Sequence, residues 1–277
     1  VGIFNGVDAA IHAVLQAYGA AGDTLLTTSP TFGYYAPCAG MQGMVIEAVP
    51  HAMPGFRFPL EAVRAALERE PRVLMLCNPN NPTGTRLAPD RVLDLAAAAP
   101  RTLVVVDELY EAFTGDSVLP SADVNALPNL LVLRSLAKTA GLAGLRIGFA
   151  IGHADVVDRI SRVTGPYDVN SAAVTAAFAA LEDQAYTDRY VAEVLRARNH
   201  IVTEMTRCRV RFHCDGGNYL LVWPRRSADE VEQQLRSSGI LVRSMAGKPQ
   251  IDGALRVSIG TLEQMRRFWA VYSPLEG

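Results

Sequence analysis

Lysine is the scarcest charged residue in this chain. Of its 26 lysine and arginine residues, only Lys138 and Lys248 are lysines. An amine that loses its proton can attack a carbonyl carbon, whereas a guanidinium cannot. Lys138 lies in a nearly uncharged, glycine-rich segment, LRSLAKTAGLAGLRIGFAIG. It is therefore a candidate nucleophile, although a coding bias against lysine would also leave a few such residues behind.

The sequence also lacks paired cysteines, long apolar runs and an excess of charge of one sign. Its four cysteines, Cys38, Cys77, Cys208 and Cys214, show no CxxC spacing, which favours reduced thiols in a cytoplasmic protein and argues against a metal site. No run approaches the roughly 18 apolar residues of a membrane span. The net charge of −2 gives no reason to expect a nucleic acid or a membrane as partner.

The apolar residues that are present form a repeating pattern. Six continuous apolar runs occupy the first two thirds of the chain: TLLTTS, MVIEAV, RVLMLCNP, TLVVVDE, NLLVLRS and RIGFAIG. Such runs are typical of strands that are covered on both faces. Several of the segments between them, such as DAAIHAVLQAYG and APDRVLDLAAAA, have apolar residues at helical spacing. The alternation predicts an α/β fold with a mostly parallel, doubly wound sheet.

The pattern changes in the last third, where short strands and helices are mixed. After a long helical segment, DRYVAEVLRARNHIVTEM, come RVRFHC, NYLLVWP, ADEVEQQLRSSG, ILVRS and ALRVSIG. We expect a large domain over residues 1–185 and a smaller C-terminal α+β domain over residues 186–277. The opening VGIFNG resembles the end of a strand and has no initiator Met, so we expect an N-terminal segment to be missing.

Polar motifs follow several predicted strands, at the edge of an α/β sheet where ligands bind. In DELY, Asp107 and Tyr110 come directly after an apolar strand. A buried carboxylate needs a cation, and the motif contains no Lys or Arg. A protonated heteroaromatic nitrogen would serve; the alternatives are a helix cap or a distant arginine.

Two further motifs offer hydrogen-bonding and stacking groups. In the turn-rich segment NPNNPTG, Asn81 could donate its amide hydrogen to a ligand oxygen, or the segment could be a turn and nothing more. In SPTFGYY, Phe32, Tyr34 and Tyr35 follow another strand. One of these rings could stack on a flat ligand, although packing in the core is the commoner role for an aromatic ring.

A third group of residues suits a phosphate. The segment Gly6-Val7-Asp8 runs from a strand into a helix, whose first N–H groups and dipole attract anions. Ser135 and Arg146 flank Lys138 in sequence and add a hydroxyl and a guanidinium. Asp8 could also be an ordinary helix N-cap.

Together, NPNNPTG, DELY and SLAKTAGLAGLRIGFAIG resemble the fold-type I, pyridoxal-phosphate-dependent aminotransferases. PTFGYY, PYDVNS, ILVRS and ALRVSIGT are similar to the histidinol-phosphate aminotransferase branch. The resemblance covers essentially the whole chain. It implies a three-layer fold, pyridoxal 5′-phosphate as cofactor, a role in amino-acid biosynthesis, and a homodimer with an N-terminal arm. The implied reaction moves an amino group from histidinol phosphate or an aromatic amino acid to a keto acid such as 2-oxoglutarate.

The resemblance also implies a role for each cofactor residue. Lys138 matches the lysine that forms a Schiff base with the cofactor, and Asp107 matches the partner of the pyridine nitrogen. Tyr110 and Asn81 match the groups that bind the phenolic oxygen, and Phe32 matches the stacking ring. The phosphate would be bound by Gly6, Val7, Asp8, Ser135 and Arg146.

On the substrate side, Arg256 matches the arginine that receives an anionic group, with Arg243 as a helper and Asn170 lining the same pocket. The segment SMAGKPQ after Arg243 departs from the family pattern, which weakens the prediction of the substrate but not that of the cofactor. Two other functions remain open. One is a decarboxylase similar to phosphothreonine decarboxylase. The other is a cofactor-sensing regulatory domain, against which the presence of Arg256 and the acidic charge balance argue.

Overall fold

A computed structural model describes residues 1–276 and contains two β-sheets. The strands of the larger sheet are β1 (Gly2–Phe4), β2 (Thr24–Ser29), β3 (Val45–Pro50), β4 (Val73–Cys77), β5 (Leu103–Asp107), β6 (Leu130–Ser135) and β7 (Gly148–Gly152). Their order is β1-β7-β6-β5-β4-β2-β3. β7 runs antiparallel to β1 and β6, and the other strand pairs are parallel. The prediction of an α/β fold with a mostly parallel sheet is therefore confirmed.

Helices cover both faces of this sheet. They are α1 (Val7–Tyr18), α2 (Tyr35–Met41), α3 (Leu60–Leu67), α4 (Pro89–Ala98) and α5 (Ala154–Ser161). Alternate residues of the central strands point to opposite faces, as in any strand. One set packs with α1, α2 and α5, and the other packs with α3 and α4. This two-sided burial explains why the strands read as continuous apolar runs.

The remaining elements form a second, antiparallel sheet and its helices. They are α6 (Ser171–Glu182), α7 (Gln184–Arg207), β8 (Arg211–His213), β9 (Tyr219–Trp223), α8 (Ala228–Ser237), β10 (Arg243–Ser244), β11 (Leu255–Ser258) and α9 (Leu262–Tyr272). The strand order is β10-β11-β9-β8. The strand predicted for ILVRS is shorter than expected. The predicted boundary after residue 185 falls at the start of α7, and the division into two domains stays a prediction.

Three helix starts show which residues begin or cap the helices. Pro89 is the first residue of α4, and Thr261 caps α9 through a capping box with Gln264. In α1, however, the N-cap position belongs to Gly6, and Asp8 lies in the first turn. The interpretation of Asp8 as an N-cap was therefore wrong. None of the helices described within residues 1–276 is both long and apolar enough to cross a membrane.

The sheet brings the predicted motifs together. Cys77 of β4 is in register with Asp107 of β5, and Asp107 is in register with Leu133 of β6. These three strands are parallel, so their carboxyl ends meet at one edge. The segments NPNNPTG, DELY and SLAK therefore begin side by side, where α/β sheets bind their ligands.

Candidate active site

Asp107 is a buried carboxylate without a cationic side-chain partner. Its side chain is only 2% exposed. Oδ2 accepts a hydrogen bond of 2.8 Å from the Tyr35 hydroxyl, and Oδ1 accepts one of 3.2 Å from the Leu109 N–H group. Burial raises the pKa of Asp107 to about 6, although the hydrogen bond from Tyr35 acts in the opposite direction. Asp107 forms no ion pair within residues 1–276, so a protonated ring nitrogen suits this position.

Tyr35 has a role that its sequence motif did not predict, because it is the hydrogen-bond donor to Asp107. Its side chain is fully buried at the start of α2, and its ring meets Phe32 edge-to-face with centroids 5.5 Å apart. Phe32 is the ring predicted to stack on the cofactor. Tyr35 therefore connects that ring to the carboxylate of Asp107. The spacing of three residues between the two aromatics was the only sequence signal for this connection.

We predict that Tyr35→Phe raises the midpoint of the pH dependence of cofactor binding to the apoprotein. The hydroxyl stabilises the charged form of Asp107, so its removal should raise that pKa further. Cofactor binding requires the carboxylate, and its midpoint should move upward with it. The dissociation constant of pyridoxal 5′-phosphate, measured from pH 5 to 8, tests this expectation. Tyr34→Phe is the matched control, and equal midpoints for the two variants would contradict it.

The motif NPNNPTG contains two asparagines that build the turn. The Asn78 amide exchanges two hydrogen bonds of 2.9 Å with the backbone of Leu87. The Asn80 amide donates to the carbonyl oxygen of Pro30 at 2.9 Å. Both side chains are buried. Asn78 and Asn80 therefore stabilise the turn through hydrogen bonds to the backbone.

Asn81 has a different role in the same motif. Its Nδ2 donates to the hydroxyl of Tyr110 at 3.2 Å. Its Oδ1 accepts a hydrogen bond of 2.9 Å from Nη1 of Arg256, a residue 175 positions away in sequence. One amide thus joins the predicted cofactor residue Tyr110 to the predicted substrate residue Arg256.

Lys138 lies beside Tyr110, with its Nζ atom 5.6 Å from the centre of the phenol ring. The lysine is partly buried, and burial lowers the pKa of its ammonium group. The positive charge of Arg256 lowers the pKa further, while the carboxylates of Asp8 and Asp107 act in the opposite direction. A lowered pKa makes the neutral, nucleophilic amine more available at neutral pH.

The residues predicted to bind phosphate meet at the start of α1. Gly6 has φ of 82°, and a Cβ atom there would lie 2.5 Å from the guanidinium of Arg146. At Gly148, a Cβ atom would lie 2.6 Å from the backbone nitrogen of Val7. Nη2 of Arg146 donates to Asp8 at 2.8 Å. Arg146 thus lies against the helix N-terminus, where first-turn N–H groups have no intrahelical acceptor. The Val7 side chain is buried, so only its N–H group is available to a ligand.

Ser135 is less well placed for a phosphate than its sequence position implies. Its Oγ donates to the carbonyl oxygen of Ile147 at 3.0 Å and accepts from the N–H group of Ala137 at 3.0 Å. The hydroxyl proton is therefore used within the segment around Lys138. A direct bond from Ser135 to the phosphate stays a prediction, and it would require the hydroxyl to rotate.

Asn170 is not brought to the substrate side in the described chain. It is exposed and caps α6 by accepting a hydrogen bond of 2.8 Å from the N–H group of Ala173. Its Nδ2 donates to the carbonyl oxygen of Leu145 at 3.1 Å. Asn170 therefore supports the turn that precedes Arg146 and does not line the cavity beside Arg256. A contact with substrate stays a prediction for this residue.

A cavity of about 300 Å³ lies next to Asn81, and its walls include Phe32, Arg243, Lys248 and Arg256. Arg243 and Arg256 are paired across the β10–β11 ladder, so their side chains leave the same face of the sheet. Nε of Arg256 is buried and has no hydrogen-bond partner within residues 1–276. No carboxylate belongs to the cavity lining. The cavity is therefore suited to an anionic ligand.

The chemistry of these groups fits pyridoxal 5′-phosphate. A buried carboxylate would hold the ring nitrogen, and an amine with a lowered pKa would bond to the aldehyde. Tyr110 and Asn81 would contact the phenolic oxygen. Arg146 and the first turn of α1 would bind the phosphate. Each polar feature of the cofactor therefore has a suitable group on this chain.

Comparison with known proteins gives the family of this chain independently of the site geometry. The family model for aminotransferase class I and II matches residues 1–271. A histidinol-phosphate aminotransferase from Symbiobacterium thermophilum is 34% identical over 267 residues, which are 96% of this chain and 73% of that protein.

Two solved structures show the same fold. A histidinol-phosphate aminotransferase from Sinorhizobium meliloti, in complex with pyridoxal-5'-phosphate, matches with a TM-score of 0.89 and 24% identity; the match covers 99% of this chain and 76% of that one. An L-threonine-O-3-phosphate decarboxylase from Porphyromonas gingivalis matches with a TM-score of 0.86 and 25% identity, covering 98% and 82%.

Proposed function

This chain belongs to the class I and II aminotransferases, which use pyridoxal 5′-phosphate, and from that premise we propose its reaction. It transfers the amino group of histidinol phosphate or of an aromatic amino acid to a keto acid such as 2-oxoglutarate. The observation that carries the proposal is the amide of Asn81, which bonds both Tyr110 and Arg256. It supports a substrate anion held at Arg256 while the reacting carbon lies near Lys138.

The residues of the site have distinct roles in this reaction. When bound, the cofactor accepts the electrons that are released as the substrate's α-proton leaves. Nζ of Lys138 takes that proton and later returns a proton, a form of catalysis that typically supplies about 10²–10⁴-fold. Asp107 keeps the ring nitrogen protonated, and Arg256 with Arg243 holds the anionic group of the substrate.

A screen of amino donors tests the proposal. The holoenzyme is mixed with histidinol phosphate, phenylalanine or tyrosine, each with 2-oxoglutarate, and glutamate formation is measured. We expect glutamate from at least one of these donors and none from the Lys138→Ala variant. If none of the three donors gives glutamate while Lys138 carries the cofactor, the proposed substrates are wrong.

The alternative is a decarboxylase that acts on a phosphorylated amino acid. It is favoured by the similarity to the Porphyromonas gingivalis decarboxylase and by a cationic cavity that also suits a phosphorylated substrate. The same screen separates the two reactions when threonine phosphate is added and carbon dioxide is measured. Release of carbon dioxide without formation of glutamate would favour the alternative.

We also propose that the enzyme is a cytoplasmic homodimer. Large apolar side chains are exposed at Tyr167, Phe178, Leu181 and Tyr186, in or beside α6 and α7, with Tyr167 93% exposed. Large exposed apolar side chains along one stretch of the chain support an interface between subunits. The four cysteines are free thiols, which favours a reducing compartment.

A further inference from the structure

Lys248, the second of the two lysines, lines the same cavity as Arg243 and Arg256. It lies in the loop between β10 and β11, within the segment that departs from the family pattern. Because arginine supplies nearly every other positive charge in this sequence, a lysine at this position is a notable exception. Its place in the cavity wall gives it access to any ligand that Arg243 and Arg256 bind.

The loop that carries Lys248 is held by its own hydrogen bonds. The Met245 N–H group donates to the carbonyl oxygen of Ala254 at 2.9 Å. The N–H group of Gly247 donates to Oδ1 of Asp252 at 2.7 Å. Met245 is buried beneath the loop. These contacts fix the backbone at Lys248, and they engage the nearby carboxylate of Asp252 with a backbone donor.

The three cations of the cavity share a second property. None of them, Lys248, Arg243 or Arg256, forms an ion pair within residues 1–276. Many other arginines do, as Arg236 with Glu232 shows at 3.2 Å. Like charges gathered without carboxylates repel one another, and an anion with more than one negative charge relieves that repulsion.

The cations also differ in depth. Arg256 is half-buried and bonded to Asn81, whereas Arg243 and Lys248 are exposed at the mouth of the cavity. A single carboxylate is satisfied by one guanidinium through two parallel hydrogen bonds. A phosphate monoester carries close to two negative charges and three acceptor oxygens at neutral pH. It therefore matches a cluster of cations better than a carboxylate does.

We propose that Lys248 determines substrate specificity by binding a phosphate monoester on the amino donor, together with Arg243. This assignment rests on the proposed function, because it concerns the donor of that same reaction. It selects a phosphorylated donor over an aromatic amino acid, whose only anionic group is its α-carboxylate. Lys248 acts as a point charge on the phosphate and takes no part in proton transfer, which belongs to Lys138.

The test compares two donors on the holoenzyme, histidinol phosphate and phenylalanine, with 2-oxoglutarate at saturation. For Lys248→Gln we expect kcat/KM with histidinol phosphate to fall by about 10- to 30-fold, mainly through KM, the usual loss for one charge-assisted hydrogen bond to a ligand. With phenylalanine it should change by less than about twofold. Lys248→Arg should retain most of the activity. Arg266→Gln, which removes one positive charge from the exposed face of α9, is the control for net charge.

The pH dependence adds a signature that a structural defect would not produce. The loss caused by Lys248→Gln should shrink as the pH falls below about 6, where the phosphate monoester becomes a monoanion. Binding of both donors to the holoenzyme is also measured by calorimetry. This comparison remains possible if the protein forms no glutamate. Equal losses for both donors, no loss for histidinol phosphate, or no preference of the wild type for the phosphorylated donor would overturn the inference. Failure of the proposed function would instead show as donor binding that depends on Lys248 without any formation of glutamate.

Discussion

Lys138→Ala is expected to lower kcat by at least about 10⁴-fold, because one nitrogen atom serves both as covalent anchor and as proton carrier. Tyr110 lies beside that nitrogen, but burial raises the pKa of its hydroxyl and makes it a poor base at neutral pH. The only other lysine, Lys248, lies in the β10–β11 loop. We propose that Lys248 binds the phosphate of the donor, so we expect neither residue to replace Lys138. Glutamate formation from histidinol phosphate, measured under single-turnover conditions, gives the magnitude.

Lys138→Arg is the matched control for this variant. It keeps a positive charge beside Tyr110 but removes the nucleophile, since a guanidinium does not lose its proton near neutral pH. Both variants should be equally inactive if the amine is what matters. Borohydride reduction of the wild-type holoenzyme, followed by peptide mapping, should place the cofactor label on the peptide that contains Lys138. Appreciable turnover by Lys138→Ala, or a label on another peptide, would refute the assignment.

The layout of the larger sheet could be predicted because burial on both faces makes its central strands continuous apolar runs. The edge strand β3 is also apolar in sequence, but it is largely exposed. Helix α2, in contrast, was not predicted from the sequence. That helix has seven residues, YAPCAGM, with a proline near its start and no side-chain cap. It forms because Tyr35, Cys38 and Ala39 pack into the core. Such tertiary stabilisation leaves little local signal in the sequence.

The hydrogen bonds between the site residues were harder to predict than the identity of those residues. The sequence placed Asp107, Asn81 and Arg256 at their respective motifs, but it could not show that one amide bonds both Tyr110 and Arg256. The bond from Tyr35 to Asp107 joins residues 72 positions apart, and nothing in either motif indicates the other. In the sequence, Phe32, Tyr34 and Tyr35 were equal candidates for contact with a flat ligand. Only the packing of α2 against the end of β5 distinguishes these three aromatic residues.

Replacing Asp107 with asparagine is expected to have opposite effects on the activity of the holoenzyme and on the stability of the apoprotein. In the holoenzyme, the variant loses the charge that keeps the ring nitrogen protonated. We expect kcat to fall by about 10²–10³-fold, the usual range for losing one electrostatic contact in a site. Glutamate formation with histidinol phosphate as donor gives this value. Asp94→Asn, at an exposed position on α4, is the control for the loss of one negative charge.

In the apoprotein, the direction of the change in stability follows from the pKa of Asp107. The folded protein raises it to about 6, above the value of about 3.9 expected for the unfolded chain. The folded state therefore binds this proton more tightly. The contribution of Asp107 to stability is complete below about pH 4 and is lost as the pH rises through about 6. Asparagine cannot ionise, so Asp107→Asn should raise the free energy of unfolding by about 2–3 kcal/mol at pH 8 and change it little at pH 4. Urea denaturation of both apoproteins at the two pH values measures this difference. If the variant is less stable than the wild type at pH 8, the carboxylate is not destabilising there.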